Sequence, residues 1–183
     1  TEVDPGEVPA EMDNWVEAAE WVDSLGADVI TSSLGYLEFD SPYPSLTWQD
    51  MNGNTASITK AADIAAHNGI AVFNSAGNNG SNSSNNTLGA PADGDSVITI
   101  GATTSAGVRA SYSSVGPTTD VPPRIKPDIM TQGSGNQVAS GTGYSTFGSG
   151  TSWACPMAAG VGAQMLSANK NLTPIQIRNI LRK

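Results

Sequence analysis

Two helix-period segments, each running straight into a short apolar stretch, constrain this chain more than anything else in it. The first opens after Pro9 with the acidic cluster from Glu11 to Asp13 and sets Trp15, Ala18, Ala19 and Val22 at i, i+3, i+4 and i+7. Gly26 ends it, and Ala27-Asp28-Val29-Ile30-Thr31-Ser32-Ser33-Leu34-Gly35 reads as a largely buried strand closed by glycine. The second is capped by Asn54 or Thr55, faces inward with Ile58, Ala61, Ala62 and Ala65, and stops at Asn68-Gly69. Ile70-Ala71-Val72-Phe73-Asn74-Ser75 is the next strand, and Val97-Ile98-Thr99-Ile100-Gly101-Ala102 is a third. Helix, strand, helix, strand predicts an α/β fold: a parallel β-sheet flanked by helices. In such sheets ligands sit beyond the carboxyl ends of the strands.

The 183 residues suffice for one core and offer no strong case for two, so 1–183 reads as a single unit. A net charge of −9 argues against nucleic acid or an anionic membrane surface as a partner. No run is long and apolar enough to predict a membrane span. The single cysteine, Cys155, excludes an intrachain disulfide framework and a cysteine-rich metal site.

Residues 36–53 form a long loop, and Ala76-Gly77-Asn78-Asn79-Gly80 with the polar residues 81–87 follows the second strand. Ala110 to Ser114 is a candidate for a shorter strand, and Lys126-Pro127-Asp128 opens a long Gly/Ser-rich connection to Gly150. From there the sequence turns from a glycine loop into an apolar, small-residue helix that starts at Ser152 and reaches about Leu166. Thr173-Pro174-Ile175-Gln176 is a capping box with proline at the first helical position, opening a last helix with Ile177, Ile180 and Leu181 inward.

A hydroxyl at the start of the Ser152 helix lies where unpaired N–H groups and the positive end of the helix dipole converge. That suits a nucleophile whose attack creates an oxyanion. For a bare Gly-Thr-Ser, an ordinary N-cap is the commoner meaning. Asn78, after a strand and a flexible Ala-Gly pair, either closes a tight turn or projects a neutral amide donor into the crevice.

The longer strings add a resemblance. Gly150-Thr151-Ser152-Trp153-Ala154-Cys155-Pro156 resembles the nucleophile motif of the subtilisin-like serine proteases. Ser75-Ala76-Gly77-Asn78 with Gly80 is similar to that family's oxyanion-hole segment. Ala27-Asp28-Val29-Ile30 leading to Ser33-Leu34-Gly35 is similar to its substrate-lining strand. Ala110-Ser111-Tyr112-Ser113-Ser114-Val115-Gly116-Pro117 and Lys126-Pro127-Asp128 also match, in the family's order and across nearly the whole chain. The resemblance implies a subtilisin-like partial domain in which Ser152 is the acylated nucleophile. Its N–H and the Asn78 side chain would form the oxyanion hole. It further implies that Ser33, Leu34 and Gly35 pair with a peptide or protein substrate as an added strand. Ala76 and Gly77 would line the pocket for the side chain before the scissile bond, and Ala90-Pro91 would be a cis peptide.

Serine is a weak nucleophile and needs a base, itself held by a carboxylate. The family takes these from an Asp-Thr/Ser-Gly and a His-Gly-Thr-His, and neither string occurs here. The one histidine, His67, shares the polar face of the second helix with Lys60 and Asp63, opposite Ile58, and is assigned no catalytic role. The chain, which starts at Thr1 without a methionine or a leader, is therefore expected to be the carboxyl-terminal portion of a secreted peptidase domain. As an isolated piece it is expected to be inactive. The strand edge from Ala27 to Ser33 is expected to meet the missing half of the domain or a second chain, because a bare apolar edge invites pairing. The rival reading is a pseudoprotease, a peptide-binding domain that kept the serine motif without a base.

No cofactor is required and no metal ligand is assigned. Asp50-Met51-Asn52-Gly53-Asn54 has the alternating oxygens of a calcium-loop start but not the rest of that pattern, so calcium stays open as a structural ion without a site. Cys155 has no cation nearby in sequence and is expected to be a buried structural thiol.

Overall fold

A computed structural model describes residues 6–146 and 148–183. The elements run α1 (Ala10–Ser24), β1 (Val29–Ser32), α2 (Ser57–His67), β2 (Ala71–Ser75), β3 (Ile98–Thr103) and β4 (Ile129–Gln132). A hairpin of β5 (Gln137–Ser140) and β6 (Gly143–Thr146) follows, then α3 (Thr151–Ala168) and α4 (Pro174–Leu181). Strands β1 to β4 lie side by side in that order, all parallel, with Ile30 opposite Val72, Ser75 opposite Ile100, and Ile100 opposite Ile129.

The period of two along β2 divides the core. Val72 joins Met12, Trp15, Ile58, Ala62 and Val97 on the face covered by α1 and α2. Its neighbour Phe73 joins Ile98, Ile100, Ala154, Ala158 and Ile177 on the face covered by α3 and α4. Helix α3 approaches so closely that a Cβ at Gly162 would stand 2.4 Å from the Phe73 ring, which explains glycine there. On the other face the Trp15 indole N–H donates to Ser32 Oγ at 3.1 Å, tying α1 to β1.

The capping box at α4 forms as its sequence predicts. Gln176 N donates to Thr173 Oγ1 at 3.3 Å and Thr173 N donates to Gln176 Oε1 at 2.9 Å. Of the three residues expected to face inward, Ile177 is buried and Leu181 packs against the core, while Ile180 is 48% exposed. In α1, Trp15 and Ala19 are buried but Ala18 faces outward.

Three local expectations change. The cap of α2 is Ala56, because Asn54 and Thr55 are held in a turn by the Asn52 side chain, which accepts from Asn54 N and donates to Thr55 Oγ1. Residues 110–114 form no strand: the Ser113 hydroxyl accepts the Ala102 N–H that a strand partner would need. The long connection before Gly150 contains β4 and the β5–β6 hairpin; β4 is half-buried and β5 mostly exposed, so these short strands leave little hydrophobic pattern.

Strand β1 lies at one edge of the sheet. Beside it a cavity of about 320 Å³ opens between the strand and α1, lined by Trp15, Ala18, Val22, Val29 and Ile30 among others. Among the described residues no helix is long and apolar enough to cross a membrane.

Candidate active site

The carboxyl end of β2 feeds directly into the crevice. The chain turns there at Gly77, whose φ of +104° excludes most side chains and whose Cβ would meet Ser114 Oγ at 3.0 Å. Asn78 then faces the N-terminus of α3. Thr151 N donates to Asn78 Oδ1 at 2.9 Å and the Thr151 hydroxyl donates to the same oxygen at 3.1 Å. Because an N–H donates to it, the bonded atom of Asn78 is the carbonyl oxygen. The amide NH₂ is thereby left as the free end of the side chain. The Thr151 hydroxyl also accepts from Gly77 N at 3.2 Å, so one fully buried threonine fastens both residues of the turn to the helix.

Of the first N–H groups of α3, that of Thr151 is used by Asn78 and that of Trp153 by the Gly150 carbonyl. The Ser152 N–H between them has no partner among the described residues. It is a first-turn donor at the positive end of the helix dipole. Ser152 Oγ donates to the Ser33 carbonyl at 3.4 Å, and the Ser33 hydroxyl donates to the Ser152 carbonyl at 3.0 Å. Two hydroxyl-bearing segments far apart in sequence therefore meet face to face.

Beyond Ser33, Leu34 turns its side chain onto the core while its carbonyl accepts from Asn74 Nδ2 at 3.0 Å. Gly35 is exposed, and its N–H and C=O have no partner among the described residues. Tyr36 then bridges to Ala90, next to a cis Ala90–Pro91 peptide. The arrangement offers an open backbone ledge beside Ser152.

A cavity of about 280 Å³ lies between this ledge and the β2 turn, lined by residues 33–35, Leu37, Ser75, Gly77–Asn79, Thr87, Gly89 and Ser152. A larger one of about 730 Å³ shares Gly35, Leu37, Asn78, Asn79 and Thr87 with it and carries Glu7 and Glu38 in its wall. Ala76 does not line the smaller cavity. It is fully buried in the core, because strand alternation turns Ser75 and Gly77 toward the cleft and Ala76 away from it.

The match over residues 110–117 carries no role in the sequence alone, and the structure supplies one. Ser114 Oγ accepts from Asn79 N at 3.0 Å and the Tyr112 carbonyl accepts from Gly80 N at 2.8 Å. The Arg109 guanidinium donates to the Gly80 and Ser113 carbonyls. The turn that carries Asn78 is thus held from both sides. A string of small hydroxyl residues was the only available signal.

No residue lining the smaller cavity is an acid, a lysine, an arginine or a histidine. His67 is exposed at the end of α2, just before β2, whereas Asn78 follows that strand. The strand's rise of about 3.3 Å per residue puts the two at opposite ends of the sheet. Cys155 is buried beneath the site, with its thiol pushed up to about 11 by burial, against weaker opposing bonds from Thr31 and Ser32. Asp50 Oδ2 accepts from Thr47 N and Thr47 Oγ1, and Asn52 Oδ1 accepts from Asn54 N, so these oxygens serve the local turn.

This constellation, a serine at a helix N-terminus facing a strand-end asparagine on a parallel sheet, defines the class to which comparison assigns the chain. The Subtilase family model matches residues 6–183, and the chain belongs to that family. Subtilisin DY of Bacillus licheniformis is 39% identical over 173 residues, covering 91% of this chain and 52% of that protein. The subtilisin of Bacillus pumilus is 37% identical over 169 residues, 92% of this chain and 53% of its own length. A solved cold-adapted subtilisin-like serine proteinase superposes with a TM-score of 0.70 at 29% identity, over 93% of this chain and 54% of its own. The chain therefore spans about half the length of these relatives.

Proposed function

We propose that these residues carry the nucleophile and oxyanion hole of a secreted serine endopeptidase whose catalytic Asp and His lie in sequence outside the 183 residues. Ser152 Oγ attacks the carbonyl carbon of an extended peptide bound along Ser33, Leu34 and Gly35. The base takes the hydroxyl proton, then returns it to the leaving amine, and water repeats the sequence on the acyl-enzyme. Ser152 N–H and Asn78 Nδ2 receive the developing negative charge. The observation that carries the reading is the pinning of Asn78 Oδ1 by Thr151, which leaves the amide donor free beside an unpaired Ser152 N–H.

Without the external base the isolated chain is inactive on this reading, and its β1 edge is the place where the remaining half of the domain adds its strands. Fluorophosphonate labelling of the complete polypeptide and of its Ser152→Ala variant tests the proposal. Ser152-dependent labelling is the expected result. Its absence from a folded complete polypeptide overturns the proposal in favour of a peptide-binding domain.

A further inference from the structure

The sixth residue of helix α3 is a proline, and that proline falls at the one position that matters to the nucleophile's own peptide. In an α-helix the carbonyl of residue i accepts from the N–H of residue i+4. For Ser152 that residue is Pro156, which has no N–H and whose ring crowds the carbonyl it faces. The Ser152 carbonyl is nevertheless bonded: the hydroxyl of Ser33, 119 residues away, donates to it at 3.0 Å. In return the Ser33 carbonyl accepts from Ser152 Oγ at 3.4 Å.

We propose that Ser33 is a positioning residue for the nucleophile, its hydroxyl taking the place of the helix amide that Pro156 lacks. The clasp fixes the rotation of the peptide between Ser152 and Trp153 and, through the bond from Oγ to the Ser33 carbonyl, the direction of the Ser152 hydroxyl, by reference to the substrate ledge rather than to the helix. The ledge and the nucleophile then keep a fixed offset, which is what a reaction between a bound peptide and a serine requires. A helix with an ordinary residue at 156 would satisfy the carbonyl internally and leave this offset to packing alone. The inference rests on the peptidase reading for its catalytic consequence but not for the hydrogen-bond exchange itself.

The test is a double-mutant cycle in the complete polypeptide: wild type, Ser33→Ala, Pro156→Ala and the double variant, with Ser33→Thr as the conservative control. Ser33→Ala is expected to slow fluorophosphonate labelling about fivefold, the factor of one ordinary net hydrogen bond. Ser33→Thr keeps the hydroxyl and labels near the wild-type rate. With Pro156→Ala an amide becomes available, and the further loss on Ser33→Ala shrinks to less than about twofold. The unfolding midpoints of the same four proteins read the exchange without catalysis, and Ser33→Ala lowers the midpoint less when Pro156 is already Ala.

Independent, additive effects of the two substitutions in both readouts overturn the proposal. So does coupling in the midpoints alone with labelling of Ser33→Ala unchanged, which makes Ser33 merely structural. Coupling in the midpoints of a wild type that shows no Ser152-dependent labelling upholds the exchange and removes the peptidase reading instead.

Discussion

At the carboxyl end of β2, the polar groups around Asn78 stop short of satisfying one another, whereas the buried charges of Lys126, Asp128 and Asp93 near the start of β3 each find hydrogen-bond partners. Lys126 Nζ donates to the Val97 carbonyl at 2.7 Å and to Asp128 Oδ2 at 2.9 Å, and the same Oδ2 accepts from Thr99 N at 2.8 Å. Arg178 and Arg182 approach Asp128 Oδ1 at 4.0 and 3.8 Å. Asp93 accepts from Gly53 N and from the Thr59 hydroxyl, both at 2.8 Å. Burial holds the Lys126 ammonium below its usual range, with the Asp128 charge opposing the shift. Around Asn78, by contrast, Thr151 spends its bonds on orienting one side chain and leaves two N–H donors facing the cleft. A closed network fixes backbone segments; an open one keeps donors for a ligand.

Ser152→Ala cuts this comparison most deeply. In the complete polypeptide it is expected to lower turnover by about 10⁶, as loss of the nucleophile does in subtilisin itself. The thermal midpoint stays within about 2 °C, because among the described residues the half-buried hydroxyl makes only one long hydrogen bond. A variant that fails to fold would place Ser152 among the structural groups instead.

Asp128→Ala should do the reverse. Its carboxylate and the Lys126 side chain are each only 2% exposed, so removing one partner strands a buried charge at a cost of about 3–5 kcal/mol. That lowers the thermal midpoint by about 10 °C. The labelling rate per folded molecule is unchanged, and a selective loss of labelling at an unchanged midpoint would erase the contrast.

Asn78→Ala is expected to reduce kcat by about 10²–10³, the loss that removal of one oxyanion-hole donor causes in subtilisin itself, with KM nearly unchanged. An equal rise in KM would make Asn78 a ground-state binding group.

The closed network answers to acid instead. Burial raises the Asp93 carboxyl above its ordinary 3.8, with the Gly53 N–H and Thr59 hydroxyl pulling the other way. The folded state binds that proton more tightly than the unfolded chain. The resulting stabilisation is complete below pH 3.8 and is lost as pH rises through the raised folded value. Urea midpoints of wild type relative to Asp93→Asn should therefore fall as pH rises across that window. A pH-independent difference contradicts the assignment. Asp63 shifts in the same direction for the same reason, its anion held by Asp95 N and Ser96 N.

The smallest effect belongs to Cys155. With its thiol at about 11 and buried, native protein at pH 8 takes up no iodoacetamide, while unfolded protein alkylates fully. Rapid native labelling would move Cys155 from the core into the open site.

The amino-acid sequence by itself determined the elements whose pattern is local. Residues spaced for a helix face marked α1, α2 and α4, runs of Val, Ile and Phe marked the buried strands, and Thr173 with Gln176 marked a cap. It also placed a serine at a helix start and an asparagine after a strand. Only the tertiary structure decided what those residues do to each other. Thr151 orients Asn78 across 73 positions, and Ser33 stands in for a missing amide across 119. Strand alternation sends Ala76 to the core and Ser75 to the cleft. The physical reason is that periodicity records which face of an element is buried. The partner of a single hydrogen bond depends instead on where two distant elements come to rest.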